Sequence, residues 1–143
     1  FGKEIGDLPA GVRQFGYVPL GPLLGRTAAL VHHGGIGTLS QALRAGIPQV
    51  VTPLAYDQPD NGARVSALGA GAVIEPERLG AETLSRTAAT LLQSEAVAAR
   101  LCSLAQRVRG DAGIARAADV LIERFVSTPR RSSETRVARG CGS

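Results

Sequence analysis

The stretch Leu30-Val31-His32-His33-Gly34-Gly35-Ile36-Gly37-Thr38 constrains the fold more than any other part of the chain. A short apolar run ends in two histidines, passes through three glycines in four residues, and enters a segment with helical spacing. In that segment Leu39, Ala42 and Leu43 fall on one face and Gly46 supplies the stop. A second apolar run, residues 49–52, follows between Gly46 and Pro48 on one side and Pro53 on the other. Two short apolar strands joined by a helix form a βα crossover between parallel neighbours.

The pattern repeats once, with a helix predicted over residues 60–68, closed by Gly69, and a third strand over 72–74. This alternation predicts an α/β fold, a Rossmann-like parallel sheet with right-handed crossovers and helices on both faces. Upstream, residues 12–18 read as a further strand and 21–24 as a short helical turn; downstream, residues 81–93, 95–109 and 113–125 read as helices, broken at Ser94-Glu95 and Gly110-Asp111. With neither Trp nor Met, the core must be aliphatic. One domain is expected over residues 1–126, and the Ser/Arg/Gly-rich residues 127–143 are expected to be a disordered tail.

The net charge of +4 first suggests an anionic or nucleic-acid partner, but its distribution argues against nucleic acid. Residues 1–126 carry 12 Lys/Arg against 11 Asp/Glu, and the remaining excess is Arg130, Arg131, Arg136 and Arg139 against Glu134, with no aromatic residue between them. Cys102 and Cys141 are distant in sequence and read as free thiols in a reducing, cytoplasmic compartment. With His32 and His33 they lack the spacing of a metal site. No apolar run approaches the length of a membrane span. The start at Phe1, without Met or a charged and then apolar leader, reads as a truncation.

Chemistry concentrates at the glycine turn. Glycines let a backbone approach phosphate closely, and the helix that follows offers unpaired N–H groups and the positive end of its dipole. His33 and Thr38 add side-chain donors. The pattern matches neither G-x-G-x-x-G nor a phosphate loop with its Lys, which argues against dinucleotide and ATP binding. A purely structural turn is the competing reading. The second strand ends in Thr52-Pro53-Leu54-Ala55-Tyr56-Asp57-Gln58-Pro59-Asp60-Asn61, where Asp57 and Gln58 can accept and donate the several hydrogen bonds that neighbouring sugar hydroxyls require. Helix capping is the alternative role for Asp57 and for Asp60.

His33-Gly34-Gly35-x-Gly37-Thr38, Gly46-Ile47-Pro48, Pro53 and Asp57-Gln58, at these spacings, resemble the donor-binding signature of family 1 glycosyltransferases. The variety resembled is the bacterial type acting on sterols, macrolides and glycopeptides, over roughly residues 12–74. The resemblance implies the C-terminal half of a two-domain GT-B enzyme that inverts the anomeric centre without metal or other cofactor, and no D-x-D metal motif occurs. A UDP- or dTDP-sugar is the implied partner. A small lipophilic acceptor and the base that deprotonates it belong to an N-terminal domain expected to precede Phe1, with the opening strands of this one.

By position, the resemblance places His33, Gly35, Gly37 and Thr38 on the diphosphate and Asp57 and Gln58 on the sugar. It places Tyr17, Leu20 and Gln41 at the nucleoside, where plant relatives carry Trp, Gln and Glu. His32 is expected to be a buried strand residue. Two further readings stay open: a non-catalytic or vestigial nucleotide-sugar module, and an epimerase of UDP-amino sugars.

Overall fold

The computed structural model describes residues 6–110 and 113–126. The chain divides into two compact units, Phe1–Gly110 and Asp111–Ser143. The first contains α1 (Leu20–Leu24), β1 (Leu30–His32), α2 (Ile36–Ala45), β2 (Gln49–Val51), α3 (Gln58–Ala67), β3 (Gly71–Val73), α4 (Ala81–Gln93) and α5 (Glu95–Gly110). In the second, α6 (Gly113–Leu121) runs into a π-helical turn, Ile122–Val126. Residues 127–143, the expected tail, lie outside the described residues.

The three strands form a parallel sheet in the order β1-β2-β3, with Val31 opposite Val50 and Val50 opposite Ala72. β2 lies in the middle and is buried on both faces, which is why Gln49-Val50-Val51 carries no alternation. Val51 packs with Leu39 of α2, Val65 of α3, and Leu101 and Leu104 of α5. Its neighbour Val50 faces the other way, toward Ile74 and Leu91 of α4. Helices therefore cover both faces of the sheet, and complete burial of each such aliphatic side chain contributes roughly 1.5–3 kcal/mol. A third cluster, Leu24, Ala42 and Ile47, seats α1 on α2.

The helices end where the chain supplies a means to end them. Gly46 adopts φ 77°, a left-handed conformation, and its N–H bonds the carbonyls of Ala42 and Leu43. Arg109 Nε of α5 donates to the carbonyl of Arg44 at 2.7 Å, and Arg100 Nε to that of Leu68 at 2.9 Å. Two guanidinium groups of one helix thus close the negative ends of α2 and α3.

Three sequence expectations need correction. Residues 12–18 form no strand: the segment from Gly11 to Tyr17 is exposed and pairs with no described strand. A strand is stabilised by a neighbour's ladder and a buried face, and among the described residues this segment has neither. Helix α3 begins at Gln58, two residues before the expected Asp60, because Pro59 is suited to the first helical turn, where its missing N–H costs nothing. The third strand is Gly71–Val73, one residue earlier than expected.

Candidate functional site

The carboxyl ends of β1 and β2 lie side by side, His32 opposite Val51, so the turns that follow them share one rim. On the first turn, Gly34 has φ 95° and no room for a side chain. A Cβ there would stand 2.9 Å from Val51 Cγ1 and 3.1 Å from the carbonyl oxygen of Gln58. The turn is therefore wedged directly against the start of α3, and only glycine meets both demands.

His32 fixes this turn from below. Its side chain is buried; the Gly34 N–H donates to Nδ1 at 3.1 Å, and Nε2 stands 3.0 Å from Gln49 Oε1. Because Nδ1 accepts, the ring's proton must be on Nε2, where it is donated to Gln49. Burial pushes the imidazole below its ordinary pKa, the Gln49 hydrogen bond opposes that, and the neighbouring His33 adds to the lowering. His32 is the buried strand residue the sequence suggested, and its neutral form shapes the turn.

His33 is exposed, with its ring over the next glycine, since a Cβ on Gly35 would stand 2.7 Å from His33 Nε2. Gly35 is also the N-cap of α2, without a side-chain capping bond, and no acid occupies the first turn. The first helical hydrogen bond runs from Leu39 N to Gly35 O, which leaves the N–H groups of Ile36, Gly37 and Thr38 without helical partners. A Cβ on Gly37 would meet nothing within 4 Å. Gln41, a turn further on, is exposed and donates to the Gly37 carbonyl.

The second turn is held in the opposite sense. Gln58 Oε1 accepts the N–H groups of Leu54 at 2.8 Å and Ala55 at 3.1 Å, so the Gln58 side chain folds back over its own loop. Between them and Asp57, Tyr56 adopts φ 59°, the left-handed region that a non-glycine residue occupies at a cost, and the residue is 95% exposed. Asp57 stands at the N-cap of α3 yet makes no side-chain cap; Oδ2 accepts from Asn61 Nδ2 at 2.8 Å instead. Asp60 pairs with Arg64 on an exposed helix face, 2.8 Å away, a local bond worth little.

The structure thus brings His33, Gly35, Gly37, Thr38, Asp57 and Gln58 to the ends of two adjacent strands, while Tyr17 and Leu20 belong to the stretch that leads into α1. Tyr17 is 87% exposed on the irregular stretch before α1, and Leu20 packs against the cluster of Leu24, Ala42 and Ile47. A groove of about 450 Å³ between the end of α2, α4 and α5 is lined by none of these residues and lies at the other end of the sheet. Sequence reasoning missed Asn61, one of the few buried polar side chains, which donates 2.9 Å to the Gly34 carbonyl as well as to Asp57. Its only sequence signal was its place among polar residues after β2. No described group of three or more His, Cys, Asp or Glu residues could hold a metal ion, Cys102 is exposed, and no described helix is long and apolar enough to cross a membrane.

This architecture has known counterparts. Residues 2–129 match the family described as erythromycin biosynthesis protein CIII-like, C-terminal domain. The chain is 37% identical over 128 residues to O-mycaminosyltylonolide 6-deoxyallosyltransferase of Streptomyces fradiae, covering 89% of this chain and 30% of that protein. It is 42% identical over 101 residues to vancomycin aglycone glucosyltransferase of Amycolatopsis orientalis, covering 71% and 24%. Among solved structures, the glycosyltransferase of kitacinnamycin superposes with a TM-score of 0.78 at 34% identity, over 85% of this chain and 32% of that one. The glycosyltransferase VinC, in complex with dTDP, superposes with a TM-score of 0.75 at 31% identity, over 82% and 30%. The chain spans no more than about a third of the length of any of these four proteins. Its strand order, its glycine turn and these matches agree: the chain belongs to the erythromycin biosynthesis protein CIII-like family of C-terminal domains from GT-B glycosyltransferases.

Proposed function

We propose that this chain is the donor-binding part of a glycosyltransferase that moves a sugar from a dTDP- or UDP-sugar to a hydroxyl of a small lipophilic acceptor. One juxtaposition carries the reading. A helix start with three N–H groups lacking helical partners and no acid in its first turn shares a rim with a carboxylate, one suited to phosphate and the other to hydroxyls. Gly37 supports it, since nothing in the fold requires a glycine there and its lack of a side chain leaves the helix start open. The dTDP bound to VinC favours a thymidine nucleotide. The matched glycosyltransferases named for a tylonolide and for a vancomycin aglycone favour an aglycone of that kind as the acceptor.

As the sugar leaves, negative charge gathers on the β-phosphate. Backbone N–H groups of α2, with His33 and the Thr38 hydroxyl, stabilise it without a metal ion, and because the turn is already locked they need little reorganisation. Asp57 and the free amide hydrogens of Gln58 hold the sugar hydroxyls. Tyr17, Leu20 and Gln41 serve the nucleoside, Tyr17 by stacking. The acceptor's proton goes to a base outside this chain, and attack opposite the leaving phosphate inverts the anomeric centre.

The test uses the whole protein. His33→Ala should weaken binding of free dTDP about tenfold, the loss of one charge-assisted contact. Asp57→Asn should lower kcat/KM for the intact donor about ten- to a hundredfold while dTDP affinity barely changes. Failure of the wild type to bind either dTDP or UDP, or an equal loss of nucleotide affinity in Asp57→Asn, would overturn the assignment.

A further inference from the structure

We propose that Asn61 is a positioning residue for sugar transfer, one amide that sets the spacing between the diphosphate turn and the sugar carboxylate. The inference rests on the donor-site reading above and goes beyond it, because Asn61 touches neither half of the donor.

Asn61 is 8% exposed. Nδ2 donates to the carbonyl oxygen of Gly34, 27 residues away, at 2.9 Å and to Asp57 Oδ2 at 2.8 Å. Both partners can only accept, so the amide nitrogen must face them and both its hydrogens are committed. The Asn61 backbone N–H also bonds the Asp57 carbonyl at 3.0 Å, and Gly62 beside it lies against the sheet, where a Cβ would stand 3.2 Å from Val51 Cγ1. The amide therefore sits on a part of α3 that packing holds still. From there it grips the Gly34 carbonyl, which immediately precedes the anion-binding helix start, and one oxygen of the carboxylate, leaving Oδ1 for a hydroxyl.

The bond that breaks in transfer joins the sugar to the β-phosphate, between the parts of the donor that the two turns hold. Grip on either part alone gives binding; the spacing between them gives alignment, and small errors in alignment cost rate. Asparagine suits the position for a definite reason: Asp would set a carboxylate against two acceptors, and Leu would leave both acceptors without a donor.

A double-mutant cycle on the whole protein tests this, with Asn61→Ala, Asp57→Ala and the double variant compared for kcat/KM with the dTDP-sugar, free dTDP affinity and Tm. Asn61→Ala should lower kcat/KM about tenfold or more while dTDP affinity stays within about threefold, and in the Asp57→Ala background its further effect should shrink below about threefold. If Asn61→Ala does not accumulate as folded protein, Asn61→Ser enters the same cycle, keeping one short donor. Losses that multiply independently, an unchanged kcat/KM, or dTDP affinity falling in step with transfer would overturn the positioning role. If Asp57→Ala itself leaves transfer intact, the donor-site reading fails and this inference falls with it; if Asp57→Ala behaves as expected and the cycle is additive, only this inference fails.

Discussion

The two turns on the rim solve opposite problems. After β1, side chains from below hold the backbone, His32 through the Gly34 N–H and Asn61 through the Gly34 carbonyl, and the helix start that follows keeps its N–H groups unspent. After β2, a side chain consumes the backbone: Gln58 takes the N–H groups of Leu54 and Ala55, and what the turn offers outward is side chains. On the proposed function, the first turn meets an anion and needs free donors at fixed positions, so its own polar side chains are few and its supports are remote; the second, proposed for hydroxyls, can spend its backbone on itself.

The sharpest way to break this comparison is within the first turn. Gly34→Ala should cost about 3 kcal/mol in urea denaturation, combining left-handed backbone strain with the collision against Val51 and Gln58. Gly37→Ala, where a Cβ meets nothing, should leave stability within about 0.5 kcal/mol. It should nevertheless weaken dTDP binding by the whole protein. Equal stability losses for the two would mean that the turn's glycines share one structural role.

His32→Ala should cost about 2 kcal/mol by leaving a buried N–H and the Gln49 amide without their partner. Urea curves at neutral pH check this, and a larger fall in dTDP affinity than His33→Ala produces would exchange the roles given to the two histidines.

The same side chain predicts a pH dependence. Its folded pKa lies below the ordinary 6.5, so the unfolded chain takes up the proton first as pH falls. The stabilisation from neutral His32 is complete above about pH 6.5 and is lost as pH drops through the folded value. Protonation would also set an N–H against the Gly34 N–H. Melts across this range should show stability falling with acid in the wild type and a flatter response in His32→Gln.

The smallest effect belongs to the second turn. Tyr56→Gly should raise stability by about 0.5 kcal/mol, because relief of the left-handed strain outweighs the added entropy of the unfolded chain. Tyr56 is 95% exposed and has little packing to lose, and a fall in Tm would show that it does.

The sequence was most legible where interactions are local. The helix positions of Leu39 and Ala42, the stop at Gly46 and the apolar run of β2 are short-range patterns, and each appeared near its expected place. Residues 12–18 carried a comparable strand pattern and remained irregular, because strand formation depends on a partner that local sequence cannot supply. Gln58 was legible as a polar residue beside Asp57, but not as the group that ties down Leu54 and Ala55.

By itself, then, the sequence determined the βα order and the glycine turn at a strand's end, since backbone conformation and hydrophobic spacing are written over a few residues. Only the tertiary structure decided that His32 faces inward as a neutral support while His33 stays exposed, and that Asn61 joins Gly34 to Asp57. Those assignments depend on hydrogen bonds between groups 17 and 27 residues apart, which exist only once parallel strands bring their ends together.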